Sequence, residues 1–129
     1  MNLFLLLGRI ILGGFFIYSG VNHFIGFGMM TQYAKAKGVP FPAIAQGATG
    51  LMLLLGGLSV VLGLYPFVGI AFLVAFLVPV SLMMHNFWKI EDPRSRMAEK
   101  SNFLKNMALV GAILMLLAIP SPWSLSLVP

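Results

Sequence analysis

The sequence predicts an all-α integral membrane protein, a bundle of four spanning helices, and three observations carry that prediction. Of 129 residues, 60% are hydrophobic and 9% charged, against about 25% charged in soluble domains. The mean hydropathy of +0.99 leaves too little polar surface to coat a particle of this size, so lipid must be the solvent for most of it. The apolar residues also gather into runs long enough to cross a bilayer of about 30 Å at about 1.5 Å per residue. The chain reads as a single domain over residues 1–129.

The first run, residues 3–25, is interrupted only by Arg9 and closes on Ser19, Asn22 and His23. It has no basic leader and no small-x-small cleavage site, so a retained helix is favoured over a signal peptide. No charge lies between Lys37 and Lys89, a stretch too long for one span and right for two. Tyr65-Pro66 divides it, because proline disfavours helix at the preceding residue and suits the first helical position. The second helix is therefore placed at 44–64 and the third at 66–84. The fourth spans 103–119, with Pro120, Pro122 and the amphipathic Trp123 marking its exit into the interface.

The connecting segments set the orientation. Segments 26–43 and 85–102 carry Lys35, Lys37, Lys89, Arg94, Arg96 and Lys100, whereas the other side has no Lys or Arg outside the spans. The positive-inside rule then puts these segments in the cytoplasm and both termini in the periplasm, with membrane lipid as the first partner. Two surface helices are expected within them. One covers 29–37 and stops at Gly38 and Pro40; the other covers 93–100, with Asp92 as its N-cap and Pro93 at the first helical position.

Composition also removes chemistries. The chain has no cysteine, which excludes thiolate catalysis, Fe–S clusters and cysteine zinc sites within it. Its carboxylates, Glu91, Asp92 and Glu99, sit within nine positions of one another, outside the predicted spans. A carboxylate relay through the bilayer is therefore disfavoured. The net charge of +5 comes from scattered basic residues at span ends, which orient a membrane protein rather than bind nucleic acid.

Small residues mark the packing faces. Arg9, Gly13, Phe16, Gly20 and His23 share one face of the first helix, and Thr49, Gly56 and Gly63 repeat every seven residues on the second. These faces are expected to pack inward, within the bundle or in a homo-oligomer. Pro79 lies inside the third span. It withholds a backbone donor, either as a tolerated membrane-helix proline or as the cause of a widened pocket.

Folding the four spans back on themselves collects polar residues at one end. Ser19, Asn22 and His23 close helix one, Gln46 and Thr49 open helix two, His85 and Asn86 close helix three, and Asn102, Lys105 and Asn106 open helix four. As a ligand site, His23, His85, Asn86, Lys105 and Asn106 would supply hydrogen bonds to quinone carbonyls, with the ring against Phe24, Phe87 or Trp88. As a structural feature, the same groups would link neighbouring helices. Haem is disfavoured, since two histidines alone do not define its site, and no third ligand supports a metal. Arg9, at the opposite end, has three readings: snorkelling to headgroups, an anion or quinone carbonyl contact, or inward pairing with helix-end carbonyls.

The stretch GRIILGGFFIYSGVNHF, with its Arg, Ser-Gly and aromatic close, resembles the first helix of the DoxX family of small bacterial membrane proteins. Residues 85–116, HNFWKIEDPRSRMAEKSNFLKNMALVGAILML, are similar to the third-loop and fourth-helix signature of that family. Arg9, Ser19, Gly20, His85, Asn86, Trp88, Lys105 and Asn106 match its recurring pattern, without a defined catalytic role. The resemblance implies a four-helix bundle of the bacterial inner membrane. Some relatives are similar to the small subunit of a thiosulfate:quinone oxidoreductase, and others to partners in oxidoreductase complexes concerned with oxidative or thiol stress.

The reading favoured by the sequence is therefore an accessory subunit of a membrane oxidoreductase that contacts a quinone and leaves most chemistry to a partner protein. No self-contained catalytic constellation is visible. A scaffolding protein without ligand is the second reading. A small-solute transporter is the third, weakened by the absence of intramembrane carboxylates and of an inverted repeat.

Overall fold

The computed structural model describes residues 2–127; residues 1, 128 and 129, the ends of the expected 1–129 domain, lie outside the described residues. The described chain is helical with no strand. Five α-helices follow in order: α1 Asn2–Ile25, α2 Phe27–Ala36, α3 Pro42–Leu62, α4 Pro66–Met83 and α5 Pro93–Met115. Short 3-10 turns cover Phe87–Lys89 and Leu116–Ala118. Four segments are long and apolar enough to cross a membrane: Asn2–Ile25, Pro42–Leu62, Pro66–Lys89 and Pro93–Ala118. The protein is thus an all-helical, multi-pass membrane bundle, with α2 as the short helix between the first two spans.

Local chemistry explains the ends. Beyond α2, Gly38 takes φ +82°, and the Gly38 and Val39 amides donate back to the Lys35 and Ala34 carbonyls at 3.0 and 3.1 Å. That left-handed residue closes the helix at little steric cost. Pro42 and Pro66 occupy the first turns of α3 and α4, where a missing N–H costs nothing. Because Pro42 already suits a first turn, α3 starts two residues before the expected residue 44.

The seam between α1 and α3 is built on glycine. A Cβ at Gly13 would fall 2.7 Å from the Gly57 carbonyl oxygen, and one at Gly57 would fall 2.7 Å from the Gly13 carbonyl oxygen. A Cβ at Gly20 would lie 2.8 Å from Leu54 Cγ. The inward packing expected of the α1 stripe is therefore present, and it brings two backbones within van der Waals reach. Gly56 faces the other way, against Leu73 of α4. Gly8, Gly14 and Gly111 have open space where a side chain would go.

The helices run as a chain of neighbours. α1 packs on α3, α3 on α4 and α4 on α5, and α2 lies across α3 and the end of α1. Phe16, Leu53, Val60, Ile70, Leu73, Leu77, Ile113 and Trp123 form the buried core. The outward faces of α1, α3, α4 and α5 remain covered with exposed Leu, Ile, Val and Phe, the surface expected to meet lipid.

Two expectations are corrected. The surface helix at 93–100 and the fourth span at 103–119 are not separate: α5 is one continuous helix, Pro93–Met115. Asp92 caps it, its carboxylate accepting from the Ser95 amide at 2.9 Å, and this interaction holds the carboxyl below its ordinary range. Nothing between Pro93 and Gly111 breaks a helix, and Arg, Met, Ala, Glu and Lys are strong helix formers whether or not lipid surrounds them. Trp123 does not mark the exit into the interface. It is 3% exposed, part of the core, and stacks against Arg9 with the guanidinium 5.6 Å from its ring.

Candidate functional site

The polar residues divide into two ends of different construction. At one end Arg9 is 1% exposed and turns inward. Its Nε donates to the Val60 carbonyl at 3.0 Å, Nη2 to Val61 at 2.8 Å, and Nη1 to Ser124 at 2.7 Å. The first two carbonyls belong to the last turn of α3, which has no helical donors left for them. Gly63, at φ +72°, lets the chain turn there, and a Cβ on it would lie 2.8 Å from Arg9 Nη2. The Leu127 amide donates to the Leu62 carbonyl at 2.8 Å, so the C-terminal segment is folded across the same place. Of the three readings of Arg9, the geometry shows inward pairing with helix-end carbonyls; its donors are occupied by the protein.

At the other end a cavity of about 610 Å³ lies between α1, α2, α3 and α4. Its wall is mostly apolar, with Met29, Met30, Met83 and Met84 prominent, and it includes Phe76, Pro79 and the polar side chains of His23, Tyr33, Gln46, Thr49 and His85. A volume of that order suits a small molecule, and thioethers adapt to varied apolar shapes. Pro79 lies on this wall. The presence of Ala75 beside it matters, because proline offers no N–H to the carbonyl four residues back.

The two histidines are held at their Nδ1 atoms. His23 Nδ1 lies 2.9 Å from the Ser19 carbonyl oxygen, and its ring meets Phe76 edge-on at 5.7 Å. His85 Nδ1 lies 2.6 Å from Glu99 Oε2. Glu99 was not foreseen as part of the site. It arrives because α5 starts at Pro93, which places Glu99 two turns along a helix beside α4. The readable signal was the Asp92-Pro93 cap followed by an unbroken helix-forming run. Burial, and after it the same carboxylate, pushes the Tyr33 phenol above its ordinary range.

The remaining candidates are dispersed. Asn86 accepts from Lys37 Nζ at 3.4 Å, joining the two basic segments at one end of the bundle. Trp88 packs edge-on with Phe87 and Phe103 in an aromatic group outside the cavity wall. Lys105 is exposed on α5, and Asn106 is buried on the same helix; neither reaches the cavity wall. Phe24 packs against Gly50 instead, and Phe76 and Tyr33 supply the aromatic rings of the cavity. Gln46, buried, donates to the His23 carbonyl at 3.3 Å and so ties α3 to the end of α1.

No curated protein and no solved structure matches the chain. The DoxX family model matches residues 4–86, well over half of its length. Most of the second resembling stretch, 85–116, lies beyond that match. Arg9, with its α3 carbonyl partners, and the whole cavity wall from His23 to His85 lie inside it. By that match the chain belongs to the DoxX family.

Proposed function

We propose that this DoxX membrane protein is an accessory subunit of a membrane oxidoreductase, and that it binds a quinone-class redox lipid in the cavity at its histidine end. The cavity itself carries the proposal: about 610 Å³ of mostly apolar wall, with His23, Gln46, Thr49 and His85 as its few convergent polar groups. Together with the Tyr33 hydroxyl on the same wall, that combination suits a flat ring with polar substituents and an apolar tail that leaves between helices into lipid. With no cysteine in the chain, electrons would be exchanged through a partner protein. In this reading the protein sits in the bacterial inner membrane with its basic end in the cytoplasm and both termini in the periplasm.

Two experiments test the parts separately. Purified protein in nanodiscs is expected to bind a short-chain ubiquinone or menaquinone analogue saturably; absence of binding of any redox form, with the fold intact, removes the ligand. A C-terminal reporter active only in the cytoplasm is expected to be silent, and strong activity would reverse the orientation. The scaffold reading draws on the Lys37–Asn86 and His85–Glu99 contacts, which tie segments together without a ligand. It would stand if no quinone binds.

A further inference from the structure

The cavity wall is rich in hydrogen-bond acceptors and poor in donors. A carbonyl oxygen can only accept, so the proton of a neutral His23 sits on Nδ1, facing Ser19, and Nε2 is left as a bare lone pair. In the neutral form of His85 the Nδ1 proton likewise faces the Glu99 carboxylate, and Nε2 is the lone pair. Gln46 directs its amide hydrogens to the His23 carbonyl and to Met30 Sδ, at 3.3 and 3.6 Å, and keeps its Oε1 lone pairs. Thr49 uses its hydroxyl hydrogen on the Ala45 carbonyl at 2.7 Å. Pro79 leaves the Ala75 carbonyl without its helical donor, and both residues line the cavity. Among the described polar side chains of the wall, Tyr33 alone keeps an uncommitted O–H.

Such a wall does not complement a ligand that brings only acceptors. We infer that the cavity selects the hydroxyl form of its ligand, a diphenol head group that donates into His23 Nε2, His85 Nε2 and the neighbouring oxygens, over the corresponding dione. The inference rests on the quinone-class reading above and specifies which redox form that site holds. A dione carbonyl placed against the same lone pairs would leave acceptor facing acceptor in an apolar cavity, an arrangement that loses binding. By linkage, a protein that binds the reduced form tenfold more tightly raises the midpoint potential of the bound couple by about 30 mV. Glu99 is a positioning residue here, because it fixes which nitrogen of His85 carries the proton.

The test uses the intact protein in nanodiscs under anaerobic conditions at about pH 8, on the basic side of the ordinary histidine range. Three probes share one ring and one tail: a short-chain ubiquinone analogue, its quinol kept reduced with dithionite, and the dimethyl ether of that quinol. The quinol is expected to bind at least about tenfold more tightly than either the quinone or the ether. Glu99→Gln, whose amide can donate to His85 Nδ1, is expected to shrink that ratio. A merely structural contribution of Glu99 would instead weaken both forms alike. A quinone that binds as tightly as the quinol, or an ether that binds as tightly, overturns the inference while leaving the quinone-class reading in place. No saturable binding of any probe removes that reading and the inference with it.

Discussion

Arg9 and His23 lie on the same face of the same helix, yet one stands in a closed network and the other beside a cavity. Around Arg9, every short contact is a charged donor meeting a backbone carbonyl, two at the end of α3 that the helix would otherwise leave unpaired and one at Ser124 of the C-terminal segment. Around His23 and His85, one nitrogen of each ring is held by the protein, and the other has no hydrogen-bond partner among the described residues. In an apolar medium, polar groups persist where they are satisfied or where they work. The first end is satisfied by its own fold, and the second is where the proposed ligand would bind.

The largest expected effect comes from breaking the closed end. Arg9→Ala removes three short charge-assisted hydrogen bonds and a stacked tryptophan, and a net loss above about 3 kcal/mol is expected, seen as poor yield and a lowered unfolding temperature in detergent. Arg9→Lys is not expected to rescue it, because a point charge cannot serve carbonyls on α3 and on the C-terminal segment together. If Arg9→Ala folds normally yet loses quinone binding, the two ends have been assigned the wrong way round.

Next comes the seam that holds both ends in register. Gly13→Leu places a side chain against the Gly57 carbonyl oxygen, and overpacking of this kind costs about 1–3 kcal/mol or more. Gly14→Leu, with open space beyond it, is expected to leave thermal aggregation in the same detergent unchanged. Equal tolerance at both positions would mean that α1 does not meet α3 through glycine.

At the cavity, His85→Ala is expected to weaken quinone binding by about 1–3 kcal/mol, the usual cost of one lost buried polar contact. Lys105→Ala serves as its partner measurement. Because Lys105 is exposed on α5 away from the wall, little change is expected. A loss at Lys105 equal to that at His85 would move the site toward α5.

The smallest effect is electrostatic. Burial and then Glu99 hold the Tyr33 phenol above its ordinary value of about 10. For a group whose folded value is raised, the stabilising contribution is complete below the unfolded value and is lost as pH rises through the folded one. Stability should therefore decline in the alkaline range, and less so in Tyr33→Phe. In Glu99→Gln, ultraviolet titration should show the Tyr33 phenolate forming at lower pH than in the parent protein. An unchanged titration would mean that Glu99 does not face α2.

Much of this architecture could be read from residues. The charge-free stretch between Lys37 and Lys89, split at Pro66, marks α3 and α4, and the step of 4, 3, 4, 3 from Arg9 to His23 marks the face that α1 turns inward. The clustering of His23, Gln46, Thr49 and His85 follows from counting spans. What escaped the sequence depends on paths that hydropathy does not record. Helix α5 starts in a charged segment, because a capped helix propagates through Arg and Glu as readily as through Leu, and Glu99 reaches His85 only as a result. Trp123 folds back onto Arg9, because the unpaired carbonyls and the guanidinium set the route of the C-terminal segment. Neither Lys105 nor Trp88 could be excluded from the cavity by periodicity, since both share a level with the histidines and differ only in direction.

The central claim is that the ligand belongs to the histidine end and that the arginine end is a structural lock. Photoaffinity labelling with an azido-quinone in nanodiscs, followed by peptide mapping, compares the two ends in one experiment. Labels are expected on the peptides that carry Met29, Met30, Phe76 and Met83, competed away by unlabelled quinol. Specific labelling confined to the neighbourhood of Arg9, Val60 and Trp123, or labelling that no competitor displaces, would contradict it.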